Sequence, residues 1–236
     1  MRKALAEYLG TLILTMTVVG SGIMATNLSS DQGIQLLINA AATGAVLWLL
    51  INAFADVSGA HFNPVVTVIS RFRGELRSNQ LIQFILGQIA GAISGAALAN
   101  LLFDLDPISI SQHSRDGWNL LLSEAIATFG LLFIIFHLTF QKNEKKIPGA
   151  VAGWIFAAYF FTSSTSFANP AVTIGRTLTD TFSGIAPHSA LAFIPIQLIS
   201  GIAGYAVAAF LNQKPFKVAT AKPQSSAKPH NGRASK

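Results

Sequence analysis

The sequence predicts an all-α membrane protein in which six transmembrane helices and two re-entrant half-helices form an inverted repeat. Three observations support this prediction: apolar residues form membrane-length blocks, basic residues gather on one side of those blocks, and one Asn-Pro motif occurs twice. Of the 236 residues, 51% are apolar and only 11% are charged, against about a quarter charged in a typical soluble domain. The composition therefore excludes an ordinary soluble globular protein.

Six apolar blocks are long enough to cross the ~30 Å hydrocarbon core of a bilayer as helices. They cover residues 5–24, 33–54, 80–102, 118–140, 147–163 and 190–211. Of the 16 Lys and Arg residues, 14 fall on one side of the predicted membrane, and only Arg115 and Arg176 fall on the other. Because cytoplasmic loops carry the excess of basic residues, this distribution predicts a multi-pass protein of the cell inner (plasma) membrane with both termini in the cytoplasm.

The net charge of +6 does not indicate a nucleic-acid partner, because the basic residues lie in short loops and at the termini. The segment 212–236 is rich in Lys, Ala, Ser and Pro. We interpret it as a disordered basic tail that is solvated rather than bound to anionic lipid. The chain contains no cysteine, which excludes disulfides and thiolate metal sites.

An internal repeat relates the two halves of the predicted membrane domain 1–211, which cover about 1–103 and 117–211. Each half contains one intramembrane Glu, one Asn-Pro segment in a long, partly apolar loop, and one Gln, in the same order. A three-span unit repeated in tandem must insert upside down relative to its copy, which gives inverted symmetry. The paired residues are Glu7, Asn63-Pro64-Val65 and Gln88 in the first half, and Glu124, Asn169-Pro170-Ala171 and Gln197 in the second.

The Asn-Pro pairs predict where two short helices begin, since Asn caps free amide groups and Pro fits the first helical position. Each long loop should fold into the membrane as a half-helix that starts at Asn63 or Asn169, and the two should meet near the midplane. Two positive dipole ends and two Asn amides at one point would repel cations. They would also orient a passing hydroxyl or water oxygen, which interrupts a proton wire.

At these residues the chain resembles the aquaporin (major intrinsic protein) family. The segments SGAHFNPVVT at 58–67 and FANPAV at 167–172 are similar to its two signature loops, and the resemblance covers essentially residues 3–211. It implies a passive channel for water and small neutral solutes, without enzymatic activity or a cofactor, and a homotetramer in the lipid bilayer. It also implies that Glu7 and Glu124 brace the loops. We interpret His61 as a packing or loop-bracing residue rather than a metal ligand, because no Cys and no second His lies near it in the sequence.

The resemblance also implies the residues of a selectivity filter, in which this chain departs from the usual pattern. Val172 occupies the position where most members have Arg, and counting from the Asn residues assigns Thr43 and Ser166 to two further positions. The fourth position, in the fifth span, is Ala157 by direct counting, or Tyr159 if the following connection is two residues short. With Ala157 the filter would be wide and weakly polar. Arg176, one helical turn beyond Val172, is expected in the outer mouth, either attracting anions or simply compensating the helix dipole.

The solute predicted from these features is a small uncharged molecule such as water or a glycerol-like polyol. The segment NPAVTIGRTLTDTF resembles a bacterial branch associated with arsenic resistance, which implies metalloid hydroxides such as arsenite as further solutes. A proton-coupled secondary transporter is the alternative, supported by the two intramembrane carboxylates. Against it, no charged substrate site or chain of acids crosses the predicted pore, and no arrangement of nucleophile and base indicates an enzyme.

Overall fold

The computed structural model describes residues 1–213, so nearly all of the predicted tail 212–236 lies outside the described residues. Within that part, the chain forms eight α-helices, which we number in chain order. They are α1 (Arg2–Leu28), α2 (Gln32–Ser58), α3 (Pro64–Phe72), α4 (Ser78–Leu102), α5 (Trp118–Phe140), α6 (Ile147–Phe161), α7 (Pro170–Gly175) and α8 (Pro187–Leu211).

Each of the six predicted spans corresponds to one of the longer helices. By length and apolar composition, five of them are able to cross a membrane: α1, α2, α4, α5 and α8. The sixth, α6, has 15 residues, which gives a length of ~22 Å at 1.5 Å per residue. It is shorter than the predicted span 147–163 because the chain leaves the helix at Thr162 and continues as an irregular segment toward α7.

The half-helices α3 and α7 follow the two Asn-Pro pairs, each with Pro in its first turn. They contain nine and six residues, which is far less than a full crossing requires. A 3₁₀ turn, Arg176–Leu178, continues α7. The paired re-entrant helices that the sequence predicts are therefore present as two short buried helices.

Helices α1 and α4 pack in parallel through three glycines spaced four residues apart. A Cβ atom on Gly87 would lie 2.9 Å from the carbonyl oxygen of Ala4, and one on Gly91 would lie 2.3 Å from that of Tyr8. Gly95 stands in the same relation to Leu12. Any side chain at these positions would collide with the α1 backbone, so the glycines permit a close helix contact.

The half-helices connect the two repeats, because each packs against a long helix of the other half. Gly175 at the end of α7 would place a Cβ 2.6 Å from the Ala92 carbonyl oxygen of α4, and Gly201 of α8 would place one 2.4 Å from Val65 of α3. Since α4 belongs to the first repeat and α8 to the second, the half-helices hold the two repeats together around the centre of the bundle.

Candidate functional site

The two Asn side chains cap the half-helices as the Asn-Pro motif predicts. Oδ1 of Asn63 accepts a hydrogen bond from the Val65 amide at 2.9 Å, and Oδ1 of Asn169 accepts from the Ala171 and Val172 amides at 3.0 and 3.3 Å. Both Asn residues have extended backbone, with φ of −150° and −157°. Each carboxamide is therefore held rigidly at the positive end of a helix dipole.

The same two carboxamides also join the loops to each other. Nδ2 of Asn63 donates to the carbonyl oxygen of Ala168, and Nδ2 of Asn169 donates to that of Phe62, both at 2.7 Å. An amide nitrogen carries two hydrogens, and each of these bonds uses one. Both Asn residues line a cavity, so the second hydrogen of each is a donor that a molecule in the cavity can meet.

Both loops approach their Asn through left-handed backbone at matching positions. Ala60 and Phe62, three and one residues before Asn63, have φ of 50° and 48°, and Ser166 and Ala168, at the same offsets before Asn169, have φ of 54° and 46°. Left-handed backbone costs an L-residue roughly 1–2 kcal/mol. The strain recurs in both repeats, so the surrounding contacts must hold both loops in this conformation.

The buried carboxylate of Glu7 holds the first loop in its strained conformation. It accepts hydrogen bonds from the amides of His61 and Phe62 at 3.0 and 2.7 Å, from the Ser58 hydroxyl at 2.5 Å, and from Nε2 of Gln88 at 2.8 Å. A carboxylate with four such donors has its lone pairs well satisfied. The geometry therefore suits an anchor for the loop better than a group that exchanges protons with a solute.

Glu124 makes the corresponding contacts in the second repeat. It is also fully buried and accepts from the amides of Phe167 and Ala168 and from Nε2 of Gln197. The two glutamines each make a second bond, from Gln197 to Thr173 at 3.0 Å and from Gln88 to Thr67 at 2.8 Å. Each Glu-Gln-Thr cluster thus ties a re-entrant loop to a long helix.

His61 braces the first loop through its side chain as well as its backbone. Its Nδ1 lies 3.1 Å from the Thr67 hydroxyl, and its ring stacks edge-on against Phe84 with centroids 5.5 Å apart. Its side chain also lines the cavity. These contacts connect the His61 ring to Thr67 and Phe84, and its backbone amide to Glu7.

A cavity of about 400 Å³ runs along the half-helix junction. One end lies among the loops that carry most basic residues and is lined by three carboxylates. The other end lies beneath the loops at 103–117 and 176–186. The three carboxylates at the first end belong to Asp56, Glu75 and Glu144. The lining residues toward the second end include Thr43, Tyr159, Ser166, Val172 and Arg176.

Of the two candidates in the fifth span, the structure brings Tyr159 to the cavity and leaves Ala157 away from it. Ala157 is exposed on the outer surface of α6 and does not line the cavity, whereas Tyr159 is buried and does. Direct counting failed because the connection between α6 and α7 is shorter than the usual spacing assumes, and two residues rotate a helix by about 200°. The expectation for Ala157 is therefore corrected.

Tyr159 forms a hydrogen bond with Thr43, and its direction follows from a second contact. The Thr43 hydroxyl donates to the carbonyl oxygen of Asn39 at 2.8 Å, so the Tyr159 hydroxyl, 3.2 Å away, must donate to Thr43. Tyr159 then offers only lone pairs to the cavity. Nearby, the buried Ser166 hydroxyl has no hydrogen-bond partner within residues 1–213. The wall thus contains an acceptor and an uncommitted hydroxyl.

Arg176 lines the same cavity as Val172 and is buried there. It is only 2% exposed, its Nε donates to the Ser183 carbonyl oxygen, and its guanidinium carbon lies 3.4 Å from the ring centroid of Phe167. Arg115 approaches the same ring at 5.1 Å. The returning segment that contains Ser183 covers Arg176, and a register count along α7 contains no information about that segment.

A polar network joins the loop 103–117 to the loop 176–186 and to the first turn of α8. Asp116 accepts hydrogen bonds from Ser114, Ser189 and His188, and these bonds, foremost that from Ser114, lower the pKa of Asp116 to about 2. Arg115 donates to the Gly184 carbonyl oxygen at 2.9 Å. No motif in the sequence pointed to these residues, because they come from segments about 70 positions apart.

The family of the chain follows from comparison with known proteins. The family model described as "Major intrinsic protein" matches residues 1–165, which is more than half of the chain. The chain belongs to the major intrinsic protein family. As a major intrinsic protein it is a passive membrane channel for water and small uncharged solutes, and the aquaporins of this family are channels rather than enzymes. The proton-coupled transporter is not favoured.

Individual relatives of this major intrinsic protein agree with the assignment. It is 42% identical over 212 residues to the aquaglyceroporin AqpS of Rhizobium meliloti (strain 1021), covering 90% of this chain and 91% of the relative. It is 28% identical over 229 residues to aquaporin Z of Rhodopseudomonas palustris, covering 90% and 94%. The X-ray structure of the aquaglyceroporin from Plasmodium falciparum superposes with a TM-score of 0.67 at 18% identity, covering 90% of this chain and 95% of that one. The aquaporin-like fold is confirmed.

Proposed function

We propose that the cavity along the half-helix junction is the solute pathway and that Asn63 and Asn169 form its proton-excluding constriction. The crossed bonds between the two Asn amides and the opposite loops support this role best. They fix both carboxamides at the point where two positive helix ends meet. A solute hydroxyl that passes there must present its oxygen to two donors, which breaks a proton wire. Pro64, Val65, Pro170 and Ala171 complete this constriction.

We propose that the selectivity filter consists of Thr43, Tyr159, Ser166, Val172 and Arg176. The wall then offers the lone pairs of Tyr159, the hydroxyl of Ser166 and the guanidinium donors of Arg176, against the apolar face of Val172. This pattern suits a small molecule with several hydroxyl groups, such as glycerol or a neutral metalloid hydroxide like arsenite. The name of the relative AqpS, an aquaglyceroporin, supports the polyol part of this proposal.

Stopped-flow swelling of proteoliposomes in glycerol, arsenite and sucrose tests the pathway and its solute class. Glycerol and arsenite should equilibrate through the protein, and sucrose should not. Val172→Trp should block glycerol, because the indole would fill the cavity wall, whereas Ala157→Trp on the outer surface should leave the permeability unchanged. Glycerol permeability that survives Val172→Trp at equal protein density would contradict the proposed pathway.

The assembly and orientation are further parts of the proposal. We infer a homotetramer with one pore per protomer, a single membrane domain 1–211 made of halves 1–103 and 117–211, and both termini in the cytoplasm of the inner membrane. The orientation is supported by the distribution of Lys and Arg, because 14 of the 16 fall on one side of the predicted membrane and basic residues are in excess on the cytoplasmic side. The chain has no cysteine, so single Cys variants at Lys145 and Arg115 can be labelled in intact cells. Labelling of Lys145→Cys by an impermeant maleimide would contradict the orientation, and light scattering in detergent would determine the subunit number.

A further inference from the structure

A second crevice, of about 430 Å³, opens at the end of the bundle where α1 and α4 begin and α2 ends. It is separate from the half-helix junction, although Asp56 lines both cavities. The residues around it are Met1, Arg2 and Lys3 at the start of α1, Asp56 and Val57 in the last turn of α2, and Gln80, Gln83 and Phe84 in the first turns of α4. None of these residues has a part in the proposed solute pathway except Asp56.

The crevice carries positive potential from side chains and from backbone. Arg2 and Lys3 are exposed on its rim, and no ion pair within residues 1–213 engages either of them. Ala4 and Tyr8 of α1 meet Gly87 and Gly91 of α4 in the same order, so the two helices are parallel and both N-terminal dipole ends point toward the crevice.

One feature opposes this potential. The C-terminal end of α2 reaches the crevice together with the carboxylate of Asp56. Two cations and two helix N-termini therefore face one carboxylate and one helix C-terminus, and the balance favours an anion.

The remaining lining consists of amide donors above an apolar floor. Oε1 of Gln80 accepts from the Arg77 amide at 3.0 Å, which leaves the two N–H groups of that side chain as donors. Gln83 is exposed beside it, while Phe84 is 1% exposed and Val57 is half-buried. Donors and cations above an apolar surface match a phosphodiester that is attached to acyl chains better than they match a free inorganic anion.

The position of the crevice also fits a lipid. Helices α1 and α4 contain 27 and 25 residues, which at 1.5 Å per residue is roughly 40 Å, long enough to place their ends at the level of the headgroups. We propose that this crevice binds the phosphodiester headgroup of an anionic phospholipid. Arg2 and Lys3 contact the phosphate, and the two glutamine amides donate to its oxygens.

Binding can be measured on the purified full chain in neutral detergent, as the rise in thermal midpoint with added phosphatidylglycerol. The parent should be stabilised by phosphatidylglycerol more than by phosphatidylcholine, and the double variant Arg2→Gln/Lys3→Gln should need about 30-fold more lipid for half of the effect, because each basic residue is worth roughly a factor of five. Lys145→Gln/Lys146→Gln removes the same charge from a turn outside the crevice and should bind like the parent. Water permeability of each variant verifies the fold.

Asp56→Asn provides a variant in the opposite direction. Removing the opposing carboxylate should lower the lipid concentration needed, which general damage to the protein would not do. Equal loss in the Lys145/Lys146 control, or no gain for Asp56→Asn, would overturn the proposal. Equal stabilisation by inorganic phosphate at matched concentration would overturn the lipid as occupant and leave a free anion site.

Discussion

At the scale of single residues, the Phe167 ring and the Ser183 carbonyl group bury the Arg176 side chain and fix its position. Its guanidinium carbon lies 3.4 Å from the ring centroid of Phe167, and its Nε donates to the carbonyl oxygen of Ser183. A desolvated cation–π contact of this kind is worth ~2 kcal/mol. The side chain is therefore held in one position against the cavity wall, and the backbone that carries Ser183 determines where the donors point.

Arg176→Ala should enlarge the largest solute that the channel admits, because it removes bulk and a fixed charge from the wall. Swelling assays with glycerol, erythritol and xylitol should show the longer polyols entering several-fold faster in the variant. Arg115→Ala is the matched control, since Arg115 stacks on the same Phe167 ring but does not line the cavity. An unchanged size limit in Arg176→Ala would exclude Arg176 from the proposed filter.

Asp116→Asn should weaken the contact between the loop 103–117 and the first turn of α8 at neutral pH. The pKa of Asp116 is lowered to about 2, below the usual ~3.9, so the carboxylate stabilises the folded state above pH ~4 and this contribution is lost as the pH falls from ~4 toward 2. The difference in thermal midpoint between parent and variant should shrink over that range. A difference of the same size at pH 7 and pH 2.5 would contradict the assignment, and Glu144→Gln serves as an exposed-acid control.

The identity of single wall residues could be predicted only in part. Thr43, Ser166 and Val172 were assigned by counting from Asn residues that lie in or near the half-helices, and the structure places all three along the cavity. Ala157 was assigned across the segment TSSTS, which has no periodicity that would reveal its length. The count to Thr43 crosses the irregular segment 59–63 and the count to Ala157 crosses 162–169, and only a segment of the expected length preserves the face that the count assigns.

At the scale of elements, the two re-entrant loops combine backbone strain with strong anchoring. The first loop has two non-glycine residues in left-handed conformation and the second has three, and each loop has one buried Glu that accepts from its backbone amides. The starts of α3 and α7 were predictable because Asn and Pro are local signals. Local signals do not identify the partners that hold the loops, since Glu7 and Glu124 lie more than 40 residues away in the sequence, and only the internal repeat and the family resemblance indicate them.

Glu124→Gln should destabilise the second loop while preserving shape. An amide in place of the carboxylate directs its own N–H₂ toward the backbone donors of Phe167 and Ala168, and a hydrogen bond to a charged group is worth about 1.5–3 kcal/mol. A lower thermal midpoint and a reduced water permeability are expected. Glu75→Gln is the control, because it also removes a carboxylate from the cavity side of the protein but breaks no hydrogen bond to the second loop. A thermal midpoint of Glu124→Gln equal to that of the parent would show that the loop does not need the carboxylate.

At the scale of the whole molecule, the two carboxylates buried inside the bundle are engaged as loop anchors. Glu7 and Glu124 each accept several hydrogen bonds from the protein, and neither lines the proposed solute pathway. The two buried acids that a proton-coupled transporter would use are therefore not presented to a solute.

An imposed proton gradient should therefore not drive accumulation of any solute. In proteoliposomes with labelled glycerol inside and outside at equal concentration, a pH difference of two units should leave the distribution unchanged, while an osmotic gradient moves water. A pH-sensitive dye in the same vesicles reports whether the proton gradient persists. Concentrative uptake would restore the transporter hypothesis.

Each of the two Asn residues donates a hydrogen bond to the loop of the opposite repeat, and this affects whether one repeat can exist without the other. Asn63 donates to a carbonyl of the second repeat, and Asn169 donates to one of the first, so a single three-helix unit contains half of each contact. A unit of this kind could close its loop only against another copy inserted with the opposite orientation in the same bilayer. The duplicated chain joins the two orientations covalently, and each half is then free to change its own wall residues, as Val65 and Ala171 already differ at equivalent positions.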